Sequence, residues 1–490
     1  MIHWIDRRRS GVLLHISSLP GPLPCGTLGE EAHRFIDEIV KGGFTVWQFL
    51  PLGPTHGHGS PYESLSSFAG NEKLLDLREF VAEGWLPKDS YEAVIRGKLP
   101  LEAARWEATT RFQAQVEQDS PLSGELNLFL EENTAWLDDY ALFAALKKAH
   151  GDLAWWQWPE ALRKRQPKAL AQANRDFSDL IHQIRFEQFM FARQWQALKD
   201  HAEARGVLLF GDLPIYVAHD SADVWTNQQL FTINDAGVCE EVAGVPPDYF
   251  SENGQRWGNP LYNWGKLEED GFDWWVKRIQ AQLKRMDFLR IDHFCGLKSY
   301  WAIPGDKQDG HIGEWRDAPG ERLLRTLLQQ LGKLPLIAED LGLLINEVRP
   351  LRERFGLPGM VVLQFAFGGD ENNPYLPDHH VADSVVYTGT HDNDTTLGWY
   401  QSIDEGARSN LARYLNHTNE DMPWPLIRMA LNSVSELAVI PMQDLLSLDS
   451  RGRLNIPGTI DGNWIWRLSE SQMTPEIWAR AHDLNLSCGR

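Results

Sequence analysis

The sequence predicts an α/β fold, a (β/α)8 barrel of eight parallel strands with large, mainly helical insertions after strands 2 and 3. Three observations predict it. Four apolar runs each close on a carboxylate: 207–210 before Asp212, 288–291 before Asp292, 334–338 before Glu339 and Asp340, and 384–387 shortly before His391 and Asp392. Helix-length segments separate these runs, which is the alternation a parallel barrel needs, and the C-terminal ends of barrel strands are where such folds gather their chemistry. Four further strand-like runs bring the count to eight.

Taken in order, the first strand is expected at 11–16, where an apolar run stops in the turn cluster Ser17-Ser18-Leu19-Pro20. A helix over 30–40 follows, with Phe35, Ile36, Ile39 and Val40 at helical spacing and a stop at Gly42-Gly43. The second strand, 44–50, runs into a proline- and glycine-rich loop that ends at Ser60-Pro61-Tyr62. His56 and His58 in that loop invite a metal reading. Their i, i+2 spacing without neighbouring ligands favours a structural or substrate-contact role, because a metal site needs three or four convergent donors.

Residues 66–177 are charged and helix-forming, and predict a helical subdomain inserted after strand 2. An amphipathic helix over 176–202 leads back to strand 3. A second insertion, 217–274, carries a stretch framed by glycine and proline with three large aromatics, Tyr249, Phe250 and Trp257. So much apolar surface in a turn-rich loop suits a lid that closes over a ligand. Strands four to eight are expected at 288–291, 334–338, 360–365, 384–387 and from 437 onward. The whole chain, 1–490, is then one barrel with both insertions inside it.

The stretch Asp287-Phe-Leu-Arg290-Ile-Asp292-His293 is the most informative. Side chains alternate along a strand, so Arg290 and Asp292 share one face and Leu289 and Ile291 the other. Burying a cation and an anion is costly unless they are paired. A buried ion pair holding a strand end would explain one such case, but it does not explain four strands that all deliver carboxylates to the same end.

Composition narrows the function. A net charge of −21 opposes binding to nucleic acid or to an anionic membrane surface. The four cysteines are scattered and lack metal spacing, which reads as free thiols in a reducing compartment. No secretory signal and no membrane-spanning run is recognisable, so a cytoplasmic location is expected. The 21 tryptophans are read mainly as core residues. There is no GxGxxG, phosphate-binding loop or HExxH, and neither a cofactor nor a metal is expected. The carboxylates therefore carry the chemistry. Cleaving a glycosidic bond needs one carboxylate to attack or to activate water, and a second, kept protonated, to serve the leaving oxygen.

These segments, together with 244–251, 254–260, Ser60-Pro61-Tyr62 and the runs from 11–20 to 463–467, resemble glycoside hydrolase family 77, the amylomaltases or 4-α-glucanotransferases. The resemblance covers nearly the whole chain. It implies Asp292 as nucleophile, Glu339 as acid/base and Asp392 as the third carboxylate, which grips sugar hydroxyls. It implies sugar stacking by Tyr62 and substrate contacts from Ser60, Asp212, Tyr249, Phe250, Trp257, Arg290, His293, His391 and Asn463. It also implies retaining transfer, through a β-glycosyl ester on Asp292, from an α-1,4-glucan such as a maltooligosaccharide, glycogen or starch to glucose or another glucan. Where relatives carry an aromatic residue and a glutamine, this chain has Thr55-His56-Gly57-His58, a departure that bears on remote glucan subsites. An α-amylase-like hydrolase and a catalytically silent glucan-binding protein are the rival readings. The intact carboxylates speak against the silent one.

Overall fold

Twelve strands form two sheets in the computed structural model, which describes residues 5–116, 121–247, 252–342, 345–415 and 420–490. In chain order they are β1 (Arg9–Leu13), β2 (Val46–Gln48), β3 (Leu208–Pro214), β4 (Glu241–Val245), β5 (Gln255–Pro260), β6 (Phe288–Asp292), β7 (Ser299–Pro304), β8 (Glu314–Asp317), β9 (Leu336–Ala338), β10 (Gly359–Val362), β11 (Ser384–Tyr387) and β12 (Leu437–Pro441). Eight of them pair in parallel in the order β10-β11-β12-β1-β2-β3-β6-β9. The seam between β9 and β10 is bridged where the Ala338 N–H donates to the Pro358 carbonyl at 2.9 Å. This is the (β/α)8 barrel the sequence predicts.

Alternation sorts the strand residues as the sequence requires. Phe288 joins Leu13, Val46, Phe210, Ile337, Met360, Val385 and Val439 in a core inside the barrel. Leu289 and Ile291 join Val12, Trp47, Leu209 and Ala338 in the larger core under the helices. Gly11 has a packing reason, since a Cβ there would lie 2.8 Å from the Val46 carbonyl oxygen on the neighbouring strand. Trp47, Trp85, Trp155, Trp158, Trp225, Trp275 and Trp478 are fully buried, in keeping with the core reading of the tryptophans.

The helices fall where helical spacing placed them. Glu30–Lys41 buries Phe35, Ile36 and Ile39, and Ser178–Ala204 buries Ile181, Ile184, Phe189, Phe191, Trp195 and Leu198. The segment between β2 and that long helix is helical, with Leu101–Val116 and Pro121–Ala149 as its main elements. Arg105 on the first of these meets Glu187 on the long helix at 2.7 Å, with both side chains buried.

Several boundaries shift, each for a local reason. β1 begins at Arg9 because that guanidinium is held by Asp6, so a charged residue can open a buried strand. It ends at Leu13, and Ile16–Ser18 turns instead as a short 3-10 helix. β10 ends at Val362, and Leu363–Phe365 likewise turn as a 3-10 helix. The segment after β3 is not mainly helical. β4 and β5 lie there, and with β7 and β8 they form an antiparallel sheet in the order β5-β4-β7-β8. Two of its strands come after β6, beyond the expected insertion boundary at 274. Strands of four to six residues interrupted by glycine and proline carry little periodicity to read. Among the described residues no helix is long and apolar enough to cross a membrane.

Candidate active site

The strand ends assemble one polar cluster. Arg290, buried on β6, places Nη1 at 2.9 and 2.8 Å from the two oxygens of Asp212 on β3, and Nη2 at 2.8 Å from Asp292 Oδ1 at the end of its own strand. The guanidinium thus supplies positive charge at both carboxylates, one terminal nitrogen lying between the two oxygens of the buried one and the other turned to Asp292. Asp212 lies within β3 rather than at its end, with no exposed side-chain surface. It reaches the site only through its partners.

Tyr62, from the loop after β2, donates its hydroxyl to Asp212 Oδ2 at 2.7 Å and lies 2.8 Å from His391 Nε2. Burial, and then the Asp212 charge, push the phenol well above its usual range, so the hydroxyl keeps the proton it donates. Its ring stacks on His391 with centroids 5.2 Å apart. The expectation that Tyr62 stacks on a sugar thus meets a residue that already links two strand ends. Ser60 accepts from the Tyr62 N–H at 3.3 Å and shapes the turn that carries the tyrosine.

His391 Nε2 also lies 3.3 Å from Asp392 Oδ2, and Asn455 Nδ2 donates to Asp392 Oδ1 at 2.6 Å. Burial opposes the charge on Asp392. His391, Asn455 and Arg290 together outweigh that cost and hold the carboxyl well below the usual carboxylate range. The polar chain is therefore continuous from Asp292 through Arg290, Asp212, Tyr62 and His391 to Asp392 and Asn455.

Glu339 follows β9 and faces the opposite electrostatic outcome. Burial, reinforced by the negative charge of Asp292, outweighs Arg290 and a hydrogen bond from the His293 N–H at 2.7 Å, and the carboxyl is pushed up to about 8. That hydrogen bond exists because His293 adopts φ 49° and ψ 49°, a left-handed conformation uncommon for a residue with a side chain. Burial pushes the His293 imidazole down to about 4, against the pull of Asp292, which leaves a neutral ring. The adjacent Asp340 is a structural anchor: it accepts from the Met360 N–H at 2.9 Å and pairs with Arg352 at 3.0 Å across the barrel seam.

Trp257 on β5 sets its ring edge-on to His293, with centroids 4.8 Å apart, so the second sheet reaches the cluster through this residue. Tyr249 and Phe250 lie outside the described residues. Asn463 does not reach the carboxylates. Its amide accepts from the Ile456 N–H at 2.9 Å and donates to the Thr459 carbonyl at 2.9 Å, bracing the loop that carries Asn455. His58 is engaged by Glu63 at 2.7 Å, and among the described residues no group of three or more His, Cys, Asp and Glu is placed to hold a metal ion.

Sequence reasoning missed Asn455, Arg453 and Trp464. Arg453 donates to the Asp392 carbonyl at 2.8 Å, and the Trp464 ring lies 6.0 Å from Tyr62 and 6.1 Å from His391. The run 463–467 was visible as a motif. Nothing in its spacing says which tryptophan turns toward the strand ends.

A family model described as 4-alpha-glucanotransferase, glycoside hydrolase family 77, matches residues 14–473. The chain belongs to that family. A 4-alpha-glucanotransferase of Thermus thermophilus is 46% identical, with 96% of this chain and 97% of the relative aligned, and one of Synechocystis is 43% identical over 98% and 97%. Among solved structures, an amylomaltase from Streptococcus agalactiae in complex with acarbose superposes with a TM-score of 0.94 at 36% identity, covering 99% of this chain and 100% of that one. The glucanotransferase likeness thus spans the barrel and both inserted segments, not the barrel strands alone.

Proposed function

We propose that the chain, a 4-alpha-glucanotransferase by family, moves a segment of an α-1,4-glucan to the 4-hydroxyl of glucose or of another α-glucan in two displacements at one anomeric carbon. The observation that carries this reading is the convergence of Asp292, Glu339 and Asp392 at one barrel mouth, held by Arg290, the His293 N–H and His391, with opposite electrostatic treatment of Glu339 and Asp392. Glu339 is pushed up to about 8 and keeps a proton at neutral pH, while Asp392 is held as an anion. Environments that drive two titratable groups apart assign the acid and the anion.

In the first step Glu339 gives its proton to the glycosidic oxygen as an Asp292 oxygen bonds to the anomeric carbon, so the leaving glucan departs as an alcohol and a β-glycosyl ester remains. In the second, the Glu339 carboxylate takes the proton of an incoming 4-hydroxyl, whose oxygen displaces Asp292. Arg290 supplies positive charge at the attacking carboxylate. Asp392, His391 and Asn455 grip hydroxyls of the reacting sugar and stabilise its cationic transition state. Trp257 shields the ester so that a sugar reaches it in preference to water.

We read 1–490 as one catalytic unit, with 66–177 and 217–274 as insertions into the barrel. The four free thiols support a reducing, cytoplasmic setting. Chromatography of products from pure maltotriose tests the function. Glucose together with longer oligosaccharides, at a constant number of reducing ends, is expected. A steady rise in reducing ends would mark a hydrolase instead.

A further inference from the structure

We propose that His15 is a positioning residue for His391, acting through one ordered water held in a cavity between the ends of β1, β11 and β12. The cavity measures about 20 Å³ and is lined by His15, Ser18, Thr390, His391, Gln443 and Arg453, among others. A single water needs roughly 10–15 Å³ of such space and two to four polar partners.

The partners are present. His15 Nδ1 and Ser18 Oγ are buried without a hydrogen-bonding partner, on residues only 9% and 1% exposed. Buried polar atoms of this kind are normally satisfied, by protein or by ordered water. Burial, and then the nearby His391, push His15 down to about 3, so it enters the arrangement as a neutral ring.

The proton count fixes the direction of the bonds at His391 Nε2. The Tyr62 hydroxyl donates to Asp212, so its oxygen accepts from His391 Nε2. Asp392 also accepts from that nitrogen. Nε2 of His391 therefore carries a proton, and Nδ1 is the ring's remaining polar atom. A water with two hydrogens and two lone pairs, placed among His15 Nδ1, Ser18 Oγ and His391 Nδ1, gives each of them a partner. It also prevents the His391 ring from turning its proton away from Asp392.

The kinetic consequence rests on the glucanotransferase reading, so two readouts are chosen that need no substrate. A high-resolution crystal structure of the full chain should show a water within hydrogen-bonding distance of His15 Nδ1, Ser18 Oγ and His391 Nδ1. Imidazole nitrogen NMR should show His391 protonated at Nε2 in the parent chain and as a mixture of tautomers in His15→Ala. In maltotriose transfer, His15→Ala should lower kcat by about ten- to hundredfold with little change in KM, the scale of effect that misplacing a reacting group produces. His15→Asn, whose amide can occupy the place of Nδ1, should recover most of the loss. Should His15→Ala not fold, Ser18→Ala is read the same way, with a smaller fall in kcat. A cavity without ordered water, an unchanged His391 tautomer, or a parent-like kcat in these variants would overturn the proposal. Absence of any transfer by the parent chain would refute the functional reading and leave the water and tautomer readouts to judge His15.

Discussion

Glu339 carries a proton at a pH where a carboxylic acid in water would have lost it, and this has a sign for stability as well as for rate. Its folded value, about 8, lies above the ordinary value of 4.5. Below about 4.5 both folded and unfolded chains hold the proton and no cost arises. Between 4.5 and 8 only the unfolded chain ionises, so the destabilisation grows as pH rises and is complete above 8. Glu339→Gln removes the titration. It should abolish transfer while raising stability by about 1–3 kcal/mol near pH 8, with the gain vanishing toward pH 4.5. Thermal melts of both proteins across that range check this. Parent activity should also fall as pH rises through about 8, as the proton is lost. Asp292→Asn should lose nearly all turnover and remain folded, as read from maltotriose assays and circular dichroism. Comparable activity in this variant would remove Asp292 from the mechanism.

At this scale the strand-end carboxylates are legible in the sequence and their attachments are not. Asp292 and Glu339 announce themselves because an apolar run that ends on an acid is costly without a purpose. Asn455 and Arg453 sit in an ordinary polar turn, and only closure of the ring brings them to Asp392. Asp212 was read as a strand-end carboxylate, because alternation gives the face of a residue but not how far the ladder continues beyond it.

Among the elements, β5 and the barrel seam invite separate tests. Trp257 reaches His293 from a sheet that folds outside the barrel, so shortening its side chain should admit water at the ester. Trp257→Ala should slow transfer several-fold and raise the share of hydrolysis, measured as reducing ends released per transfer event. An unchanged ratio would make the ring structural. At the seam, a Cβ on Gly359 would stand 2.6 Å from Asp340 Oδ2, the carboxylate that ties β9 to β10. Gly359→Ala should cost about 1–3 kcal/mol, read by chemical denaturation. The barrel strands were legible because each is a buried apolar run between helices. β4, β5, β7 and β8 were not, because their pairing is antiparallel and partly across β6, and their residues alternate too briefly to stand out.

For the whole molecule, the helical segment after β2 is fastened by the buried pairs Arg105–Glu187 and Lys147–Asp220 among more exposed ones. Arg105 and Glu187 have side chains only 6% and 4% exposed. Arg105→Ala would leave an unpaired buried carboxylate and should cost about 3–5 kcal/mol. Lys164→Ala, which breaks a solvent-exposed pair with Glu160, should cost less than about 1 kcal/mol. Denaturation midpoints of the two variants separate these cases. Equal losses would mean that the buried pair is not a fastening point.

The cluster at the barrel mouth also bears on when the chain becomes an enzyme. Tyr62, Asp212, Arg290, Asp392 and Asn455 come from five successive stations along the chain, and each is held by another. No contiguous fragment contains them all short of nearly the full length. Turnover is therefore expected only when segments from 62 to 455 are all in place. In a refolding experiment, helical signal should return no later than glucan transfer, and transfer should rise together with the signal of native tertiary packing.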